Sequence, residues 1–283
     1  MASHEFTSIR SPRIKGVRRL AKRTFRQRER RFLAEGPQAV REALAAADGG
    51  RDGRSPYGGT ALGVVEVFAT AEAAQRHLDL VDAAHAADVP THRVSLDVMS
   101  ELAQTVTPQG IIAVCEFVDV PLDQVGDVRM AVVLSHVRDP GNAGTVLRTA
   151  DAAGADVVIF TDASVDPYNG KCVRASAGSL FHLPVVVGVP VSAAVEFLRG
   201  RGARVWAADG GGPKDLHQVA DGGDLDGPVG WVFGNEAWGL PEDVVRQTDG
   251  AVSVPIYGGA ESLNLATAAA VCLYTTARQQ RST

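Results

Sequence analysis

The second half of the chain alternates short, almost continuous apolar runs with longer segments in which apolar residues recur at helical spacing. The apolar runs lie at residues 130–135, 157–160, 185–189, 205–208, 229–233 and 251–254. The helical patterns cover residues 142–153, 171–178, 192–198 and 262–278. A strand that is apolar along its whole length is typical of a parallel sheet buried on both faces. The pattern therefore predicts an α/β fold built on a parallel sheet.

The first 120 residues show a weaker form of the same alternation. Strands are predicted near 32–34, 64–69, 93–95 and 111–117, and helices near 12–32, 38–47, 71–77 and 98–104. The glycine-rich residues 48–60 are predicted to form a loop. Residues 121–127 have the composition of a linker. The sequence therefore predicts a small α/β domain over residues 1–120 and a second domain over residues 128–283.

Composition favours a globular protein without membrane spans, disulfides or a metal site. The 283 residues are 45% hydrophobic and 22% charged, as is usual for a globular protein in water. No apolar run approaches the ~20 residues that a bilayer-spanning helix needs, so no membrane association is expected. Cys115, Cys172 and Cys272 are far apart, which favours reduced packing residues in a cytoplasmic protein. The seven histidines show no metal-ligand spacing with them, so no metal is expected.

The net charge of −5 hides an uneven distribution. Eleven of the 28 lysines and arginines, but one of the 33 acidic residues, lie between Arg10 and Arg31, so this stretch carries +10 and the remainder −15. A concentrated basic stripe can supply the phosphate contacts that dominate affinity for nucleic acid. An RNA-binding surface is the favoured interpretation, and a solvated basic helix without a partner is the alternative.

Three stretches place glycines and polar residues directly after predicted strands. They are residues 136–150 (HVRDPGNAGTVLRTA), 233–240 (FGNEAWGL) and 254–266 (VPIYGGAESLNLA). Open α/β sheets bind their ligands at the carboxyl ends of the strands. The three stretches are therefore the candidate functional loops.

Several residues in these loops also have purely structural interpretations. Asn142, Ser262 or Asn264 can each cap a helix without any further role. Arg148 lies among apolar neighbours in a predicted helix, where its charge needs a partner. That partner is either a nearby acidic residue, Asp139 or Asp151, or an RNA phosphate or reacting ribose.

Two further residues follow the strand that ends near Phe233. Gly234 lets a ligand approach the backbone closely, because glycine has no side chain. Glu236 is either the surface carboxylate of a tight turn or a residue of the site. The residues alone leave both alternatives open.

In this order, the three stretches resemble the motif set of the SpoU (TrmH) family of RNA ribose 2'-O-methyltransferases. The resemblance covers residues 130–280. Over the first 120 residues it is weaker, but residues 32–37 (FLAEGP) and the α/β pattern are similar to the L30e-like RNA-binding domain that precedes many members. The resemblance implies a SPOUT-type parallel sheet with a C-terminal trefoil knot, a homodimer with active sites shared between subunits, and S-adenosylmethionine (AdoMet) as cofactor.

The same resemblance implies residue roles. The implied catalytic residues are Arg148, Asn142, Glu236, Ser262 and Asn264. The implied AdoMet-binding residues are Phe233, Gly234, Asn235, Ile256, Ser262 and Leu265. One departure is that Leu265-Ala266 stands where many members have Val-Ser, which leaves the role of Leu265 less defined. Because arginine is not deprotonated in proteins, we expect Arg148 to bind the adjacent phosphate and orient the hydroxyl, with the phosphate assisting proton removal.

The resulting prediction is AdoMet-dependent methylation of a ribose 2'-hydroxyl in RNA. The basic stripe and the small first domain suit recruitment of a large structured RNA, so 23S rRNA is favoured over tRNA. Two alternatives differ in chemistry: a non-catalytic RNA-binding or ribosome-assembly protein with the same fold, and methylation of a base. The joint presence of the five implied catalytic residues argues against the first, and the Ser-Leu-Asn sequence at 262–264 argues against the second.

Overall fold

The structure, a computed structural model, describes residues 5–47, 63–235 and 237–282. The loop predicted at residues 48–60 lies outside these ranges, and so does Glu236. The chain divides into two compact units. The first comprises Met1–Val118 together with Tyr168–His182, and the second comprises Asp119–Pro167 and Leu183–Thr283.

Helices and strands alternate along most of the described chain. The helices are α1 (Pro12–Arg19), α2 (Arg23–Glu29), α3 (Pro37–Ala47), α4 (Ala71–Arg76), α5 (Leu78–Ala86), α6 (Leu96–Leu102), α7 (Pro140–Ala153), α8 (Gly170–Ala175), α9 (Val191–Gly200), α10 (Leu216–Asp221), α11 (Glu242–Val245) and α12 (Leu265–Ser282). The strands are β1 (Arg31–Glu35), β2 (Val64–Ala69), β3 (Thr91–Arg93), β4 (Ile111–Glu116), β5 (Met130–Leu134), β6 (Val157–Thr161), β7 (Val185–Val189), β8 (Arg204–Ala208), β9 (Lys214–Asp215), β10 (Val229–Phe233) and β11 (Ala251–Ser253). Most predicted elements are confirmed, but α5, β9, α10 and α11 were not predicted.

The first unit is a mixed four-stranded sheet with helices on both faces. The strand order is β1-β4-β2-β3, in which β4 runs antiparallel to both of its neighbours and β3 runs parallel to β2. Helices α1 and α6 pack together over an apolar cluster on one face that includes Ile14, Phe68 and Met99. Helix α3 packs against β1 and β4. The unit also contains Tyr168–His182, so it is larger than the predicted first domain.

The single helix predicted over residues 12–32 is wrong, because the chain forms two short helices there. Helix α1 ends at Arg19, and α2 begins at Arg23. The buried Arg26 guanidinium donates to the carbonyl oxygens of Leu20 (2.9 Å) and Ala21 (2.8 Å). A side chain of the second helix therefore satisfies backbone groups at the break, which makes the break stable.

The second unit is built on a seven-stranded sheet in the order β7-β6-β5-β10-β8-β11-β9, and every pairing is parallel. The predicted α/β fold with a parallel sheet is thus confirmed. Every residue of β5, β6 and β10 is buried, as expected for strands covered on both faces. Helix α9 packs on the face carrying Val133 and Val232, while Trp231 on the opposite face donates to Thr276 of α12 (2.9 Å).

Two properties of the described residues bear on the compositional expectations. In the part of the chain that the structure describes, no helix is long and apolar enough to cross a bilayer. The three cysteines are buried and none forms a disulfide. Burial raises the pKa of the Cys272 thiol to about 12, because a thiolate is poorly solvated there.

Candidate functional site

A cavity of about 640 Å³ lies in the second unit at the carboxyl ends of β8, β10 and β11. Its lining comes from the loops that follow these strands and from the start of α12. The lining residues are Ala208, Asp209, Gly210, Gly211, Phe233, Gly234, Asn235, Ala237, Trp238, Gly239, Val252, Ser253, Val254, Pro255, Ile256, Glu261, Ser262, Leu263, Leu265 and Ala268. All six residues implied to bind AdoMet are among them.

The loop after β10 is a tight turn closed by backbone hydrogen bonds. Asn235 and Gly239 exchange two N–H···O bonds, of 2.8 and 2.9 Å, and the Asn235 side chain accepts from the N–H of Ala237 (2.9 Å). Gly234 faces the far end of this turn, where an added Cβ would lie 2.5 Å from the carbonyl oxygen of Gly239. Glycine is therefore required at position 234 for the turn to fold back on its strand.

The loop between β11 and α12 supplies the other wall. The helix predicted to begin at Ser262 begins at Leu265 instead, because Asn264 caps it. The Asn264 side-chain oxygen accepts from the N–H groups of Ala266 (2.9 Å) and Thr267 (3.4 Å). Ser262 is consequently not a cap. It is exposed and lines the cavity.

The loop between β5 and α7 joins this site through two side-chain amides. The Asn235 amide donates to the carbonyl oxygen of His136 (3.1 Å), and the Asn264 amide donates to the side-chain oxygen of Asn142 (3.1 Å). Asn142 does not cap α7, because Asp139 does so by accepting from the Asn142 N–H (2.8 Å). The Asn142 side chain is thus left to contact the third loop, and the three candidate loops meet.

Arg148 is placed differently from the other candidates. It lies on the solvent-exposed face of α7 and is not among the cavity-lining residues. The expectation that apolar neighbours bury its charge is wrong, because those neighbours occupy the opposite face of the helix. Within the described residues Arg148 forms no ion pair, so neither Asp139 nor Asp151 neutralises it.

Several further residues of the lining were not predicted from the sequence. Asp209 follows β8, and its carboxylate accepts from the Gly211 N–H (2.8 Å). Glu261 and Trp238 also line the cavity. The position of Asp209 at the end of an apolar strand was an available signal for a residue of the site. Glu261 and Trp238 lay inside recognised motifs and carried no separate signal.

The residues of the cavity fit a ligand of the AdoMet type. The volume of the cavity lies within the several hundred Å³ usual for cofactor sites. Apolar side chains such as Phe233, Ile256 and Leu265 suit an adenosine ring, and the carboxylates of Asp209 and Glu261 suit a cationic sulfonium-amino acid. Among the described residues, no group of three or more His, Cys, Asp or Glu side chains is arranged to hold a metal ion.

Comparison with known proteins agrees with this arrangement. Residues 129–274 match the model of the SpoU rRNA Methylase family, and residues 33–121 match the model described as RNA 2'-O ribose methyltransferase substrate binding. Residues 11–48 also match an MRM3-like substrate binding domain. The first match covers the second-unit sheet and all three candidate loops.

Relatives and solved structures extend the similarity to nearly the whole chain. The 23S rRNA (guanosine(2553)-2'-O)-methyltransferase RlmP of Bacillus subtilis (strain 168) is 32% identical over 95% of this chain and 98% of its own. The 23S rRNA (uridine(2479)-2'-O)-methyltransferase of Streptomyces viridochromogenes is 36% identical over 69% of this chain and 70% of its own. A crystal structure of an AdoMet-bound rRNA methyltransferase from Sinorhizobium meliloti aligns with a TM-score of 0.81 at 29% identity, over 97% of both chains. The chain therefore belongs to the SpoU rRNA Methylase family.

Proposed function

We propose that this protein transfers the methyl group of AdoMet to a ribose 2'-hydroxyl of RNA, and that the RNA is 23S rRNA. The observation that carries the proposal is a cavity of the second unit that two family motifs line, with the third motif joined to them by the Asn235–His136 and Asn264–Asn142 hydrogen bonds. The names of the 23S rRNA relatives support the choice of RNA.

Methyl transfer to a hydroxyl is largely a problem of alignment, because the oxygen, methyl carbon and sulfur must lie in line. When bound, AdoMet supplies an electrophilic methyl group on a sulfonium sulfur. Phe233, Gly234 and Asn235 at the end of β10, together with Ile256 and Leu265, would hold the cofactor. Ser262 and the paired Asn142 and Asn264 line the ribose side of the site and orient the hydroxyl. Asn142 and Glu236, of which Glu236 lies outside the described residues, would fix the geometry of Arg148.

Arg148 binds the phosphate next to the reacting ribose and orients the nucleotide. Its guanidinium stays charged, so it acts by position and electrostatics and not as the general base. Its exposed location away from the cavity lining is accounted for by a homodimer, in which Arg148 of one subunit serves the site of the other. Helices α7 and α12 pack together and also expose Thr145 and Thr267.

The proposal extends to the fold. The second unit would carry a C-terminal trefoil knot, as the resemblance to the family implies. The first unit would be an L30e-like domain that recruits RNA, aided by the basic residues of α1 and α2. Residues 1–120 would then belong to the recruiting domain, and residues 128–283, apart from the Tyr168–His182 segment of the first unit, to the catalytic domain. The enzyme would work without a metal, in the cytoplasm with its rRNA substrate.

Tritiated AdoMet and total RNA from a strain lacking the gene test the activity. We expect label in 23S rRNA and a single nucleotide resistant to alkaline cleavage, as a 2'-O-methyl group requires. Label recovered in a base would show that the protein methylates a base and not a ribose. Absence of both label and AdoMet binding would leave an RNA-binding protein without catalysis.

Arg148→Ala tests the catalytic assignment in the same assay. We expect kcat to fall by about 100-fold or more with an unchanged Kd for AdoMet, because one positioned charge near the reacting group is lost. Arg246→Ala is the matched control, since Arg246 is an exposed arginine of the second unit that is absent from the cavity lining. Turnover near the wild-type value in Arg148→Ala would remove Arg148 from the mechanism.

A further inference from the structure

The three tryptophans of the chain differ sharply in exposure. Trp206 and Trp231 lie in the parallel sheet with 1% and 0% of their surface exposed, whereas Trp238 is 53% exposed. Trp238 also lines the cavity. A large aromatic side chain left half in solvent beside a ligand site is a marker of an interaction surface.

Trp238 is held in place by its neighbours. It sits in the turn that the Asn235–Gly239 backbone pair closes, and Gly239 takes a positive φ of 71° that completes the turn. The His136 ring meets the indole edge to face, with centroids 5.4 Å apart and planes at 70°. The Asn235 amide ties the His136 carbonyl to the same turn (3.1 Å). The indole is thus supported from one side.

His136 adopts an unusual backbone conformation to give this support. Its φ of 61° lies in the left-handed region, which few non-glycine residues occupy. The Ser135 hydroxyl lies 2.9 Å from His136 Nδ1, which fixes the ring orientation. Such strain persists where the surrounding structure holds it, and it is often found at ligand sites.

We propose that Trp238 is the platform on which the base of the methylated nucleotide stacks, with His136 as its support. This inference rests on the proposed function. Proteins that act on RNA take single-stranded or extruded bases and stack them on aromatic side chains. A ribose placed at the cavity brings its own base to the mouth, where Trp238 is exposed.

A stacking platform does not by itself restrict the protein to one kind of nucleotide. The Bacillus relative is named for a guanosine and the Streptomyces relative for a uridine. Every base has a π-face, so a stacking platform tolerates any of them. The platform therefore positions the nucleotide, and the surrounding RNA structure selects it.

Tryptophan fluorescence gives a direct test, because acrylamide quenches exposed indoles and the other two tryptophans are buried. The probes are an unmodified 23S rRNA transcript and S-adenosylhomocysteine, used separately and together. We expect the RNA to protect Trp238 from quenching by acrylamide. S-adenosylhomocysteine alone should leave most of the quenching seen in the free protein. Trp238→Phe is the control, since its remaining tryptophans should resist quenching throughout.

Three results would overturn the proposal. Full protection by S-adenosylhomocysteine alone would assign Trp238 to the cofactor. Protection that rises with protein concentration, without RNA, would assign it to a subunit interface. Quenching unchanged by RNA that is shown to bind would leave it without a substrate contact. Absence of methyl transfer by the wild-type protein would instead count against the proposed function.

Kinetics provide an independent measurement. Trp238→Ala should lower kcat/KM for RNA by roughly 10- to 100-fold, the loss expected for one base–aromatic stack, and this loss should exceed any change in the Kd for AdoMet. Trp238→Phe should recover most of that loss. His136→Asn keeps a residue that tolerates the left-handed conformation but removes the ring, so it should raise KM for RNA more than it lowers kcat. Equal activity of Trp238→Ala and wild type would refute the platform.

Discussion

The two units differ in where their charged side chains lie. The first buries carboxylates: Glu35 accepts from Arg174 (3.0 Å) and from the N–H of Gln104 (3.1 Å), and Glu66 pairs with Arg13 (2.7 Å). In the second, the central strands β5 and β10 contain only apolar residues, and polar groups gather in the loops at the strand ends. Charge fixes chain segments in the first unit, whereas in the second unit a neutral scaffold presents the reactive loops.

Among the tests of this difference between the units, the largest effect is expected in the loops of the second unit. In Gly234→Ala, the new methyl group would meet the carbonyl of Gly239 at 2.5 Å and the side chain of Leu240 at 2.7 Å. Because the obstacle is backbone, the turn must open, and we expect affinity for AdoMet to fall at least about tenfold. Isothermal titration measures this.

Gly126→Ala is the matched control for Gly234→Ala. A Cβ at Gly126 would have no atom within 4 Å, so AdoMet binding should be unchanged. If Gly234→Ala bound AdoMet as tightly as wild type, the conclusion that the turn requires glycine would be incorrect.

A smaller effect is expected from the cations of the first unit, which fall into two groups. Arg13 and Arg18 pair with Glu66 and Glu101. Lys15, Lys22 and Arg23 are exposed, and their side chains form no ion pair within the described residues. If the exposed group contacts RNA phosphates, replacing all three by Gln should reduce the slope of log K against log salt by about 2 to 3. Filter binding at several salt concentrations measures the slope.

Arg13→Gln separates the two groups. It leaves the Glu66 carboxylate, which is 9% exposed, without its cation. We expect the free energy of unfolding to fall by about 1 kcal/mol while the salt slope changes by less than one. If Arg13→Gln changed the slope as strongly as the triple variant, the division into structural and RNA-binding cations would fail.

The smallest effect is expected at Asp249, a charged side chain of the second unit that is held by hydrogen bonds. Burial alone would raise the pKa of Asp249, but the hydrogen bond from the Val205 N–H (2.7 Å) and the Arg199 guanidinium (2.7 Å) outweigh it and lower the pKa. A lowered pKa in the folded state contributes stability above the unfolded value of about 3.9, and this is lost as pH falls through the folded pKa. Asp249→Asn should therefore cost less than about 1 kcal/mol near pH 7 and less still below pH 4.

Urea unfolding of wild type and Asp249→Asn across this pH range measures the difference. A gap that stayed constant down to the lowest pH would mean that ionisation of Asp249 plays no part in stability.

The sequence predicted the elements whose signal is local and strong. Strand β2 occupies the predicted residues, and the apolar runs of β5, β6 and β10 are central strands. The four elements that were missed are short or lack a strong apolar period; β9 has only two residues. Their pairing depends on distant partners, as β9 does on β11, and no local pattern reports such a partner.

The candidate site was predicted as a set of loops, but its capping and exposure were not. The choice of Asp139 over Asn142 as the cap depends on a shift of three residues at the start of α7. The exposure of Arg148 depends on which face of that helix meets the sheet. The cap of α7 and the exposure of Arg148 both depend on tertiary structure. The order of apolar residues along the chain does not determine either of them.

Tyr168–His182 has a consequence for how the protein can be made. The Tyr168 ring stacks on Phe117 with centroids 3.8 Å apart and packs against Phe32 at 4.9 Å, inside the first unit. During translation, the first unit therefore lacks part of its packing until the ribosome has passed residue 182, well into the second sheet. Cutting the chain at the linker of residues 121–127 would deprive the N-terminal fragment of the packing that Tyr168–His182 supplies. In the C-terminal fragment, the same aromatic segment would lack its packing partners. The full-length chain is the natural unit for expression.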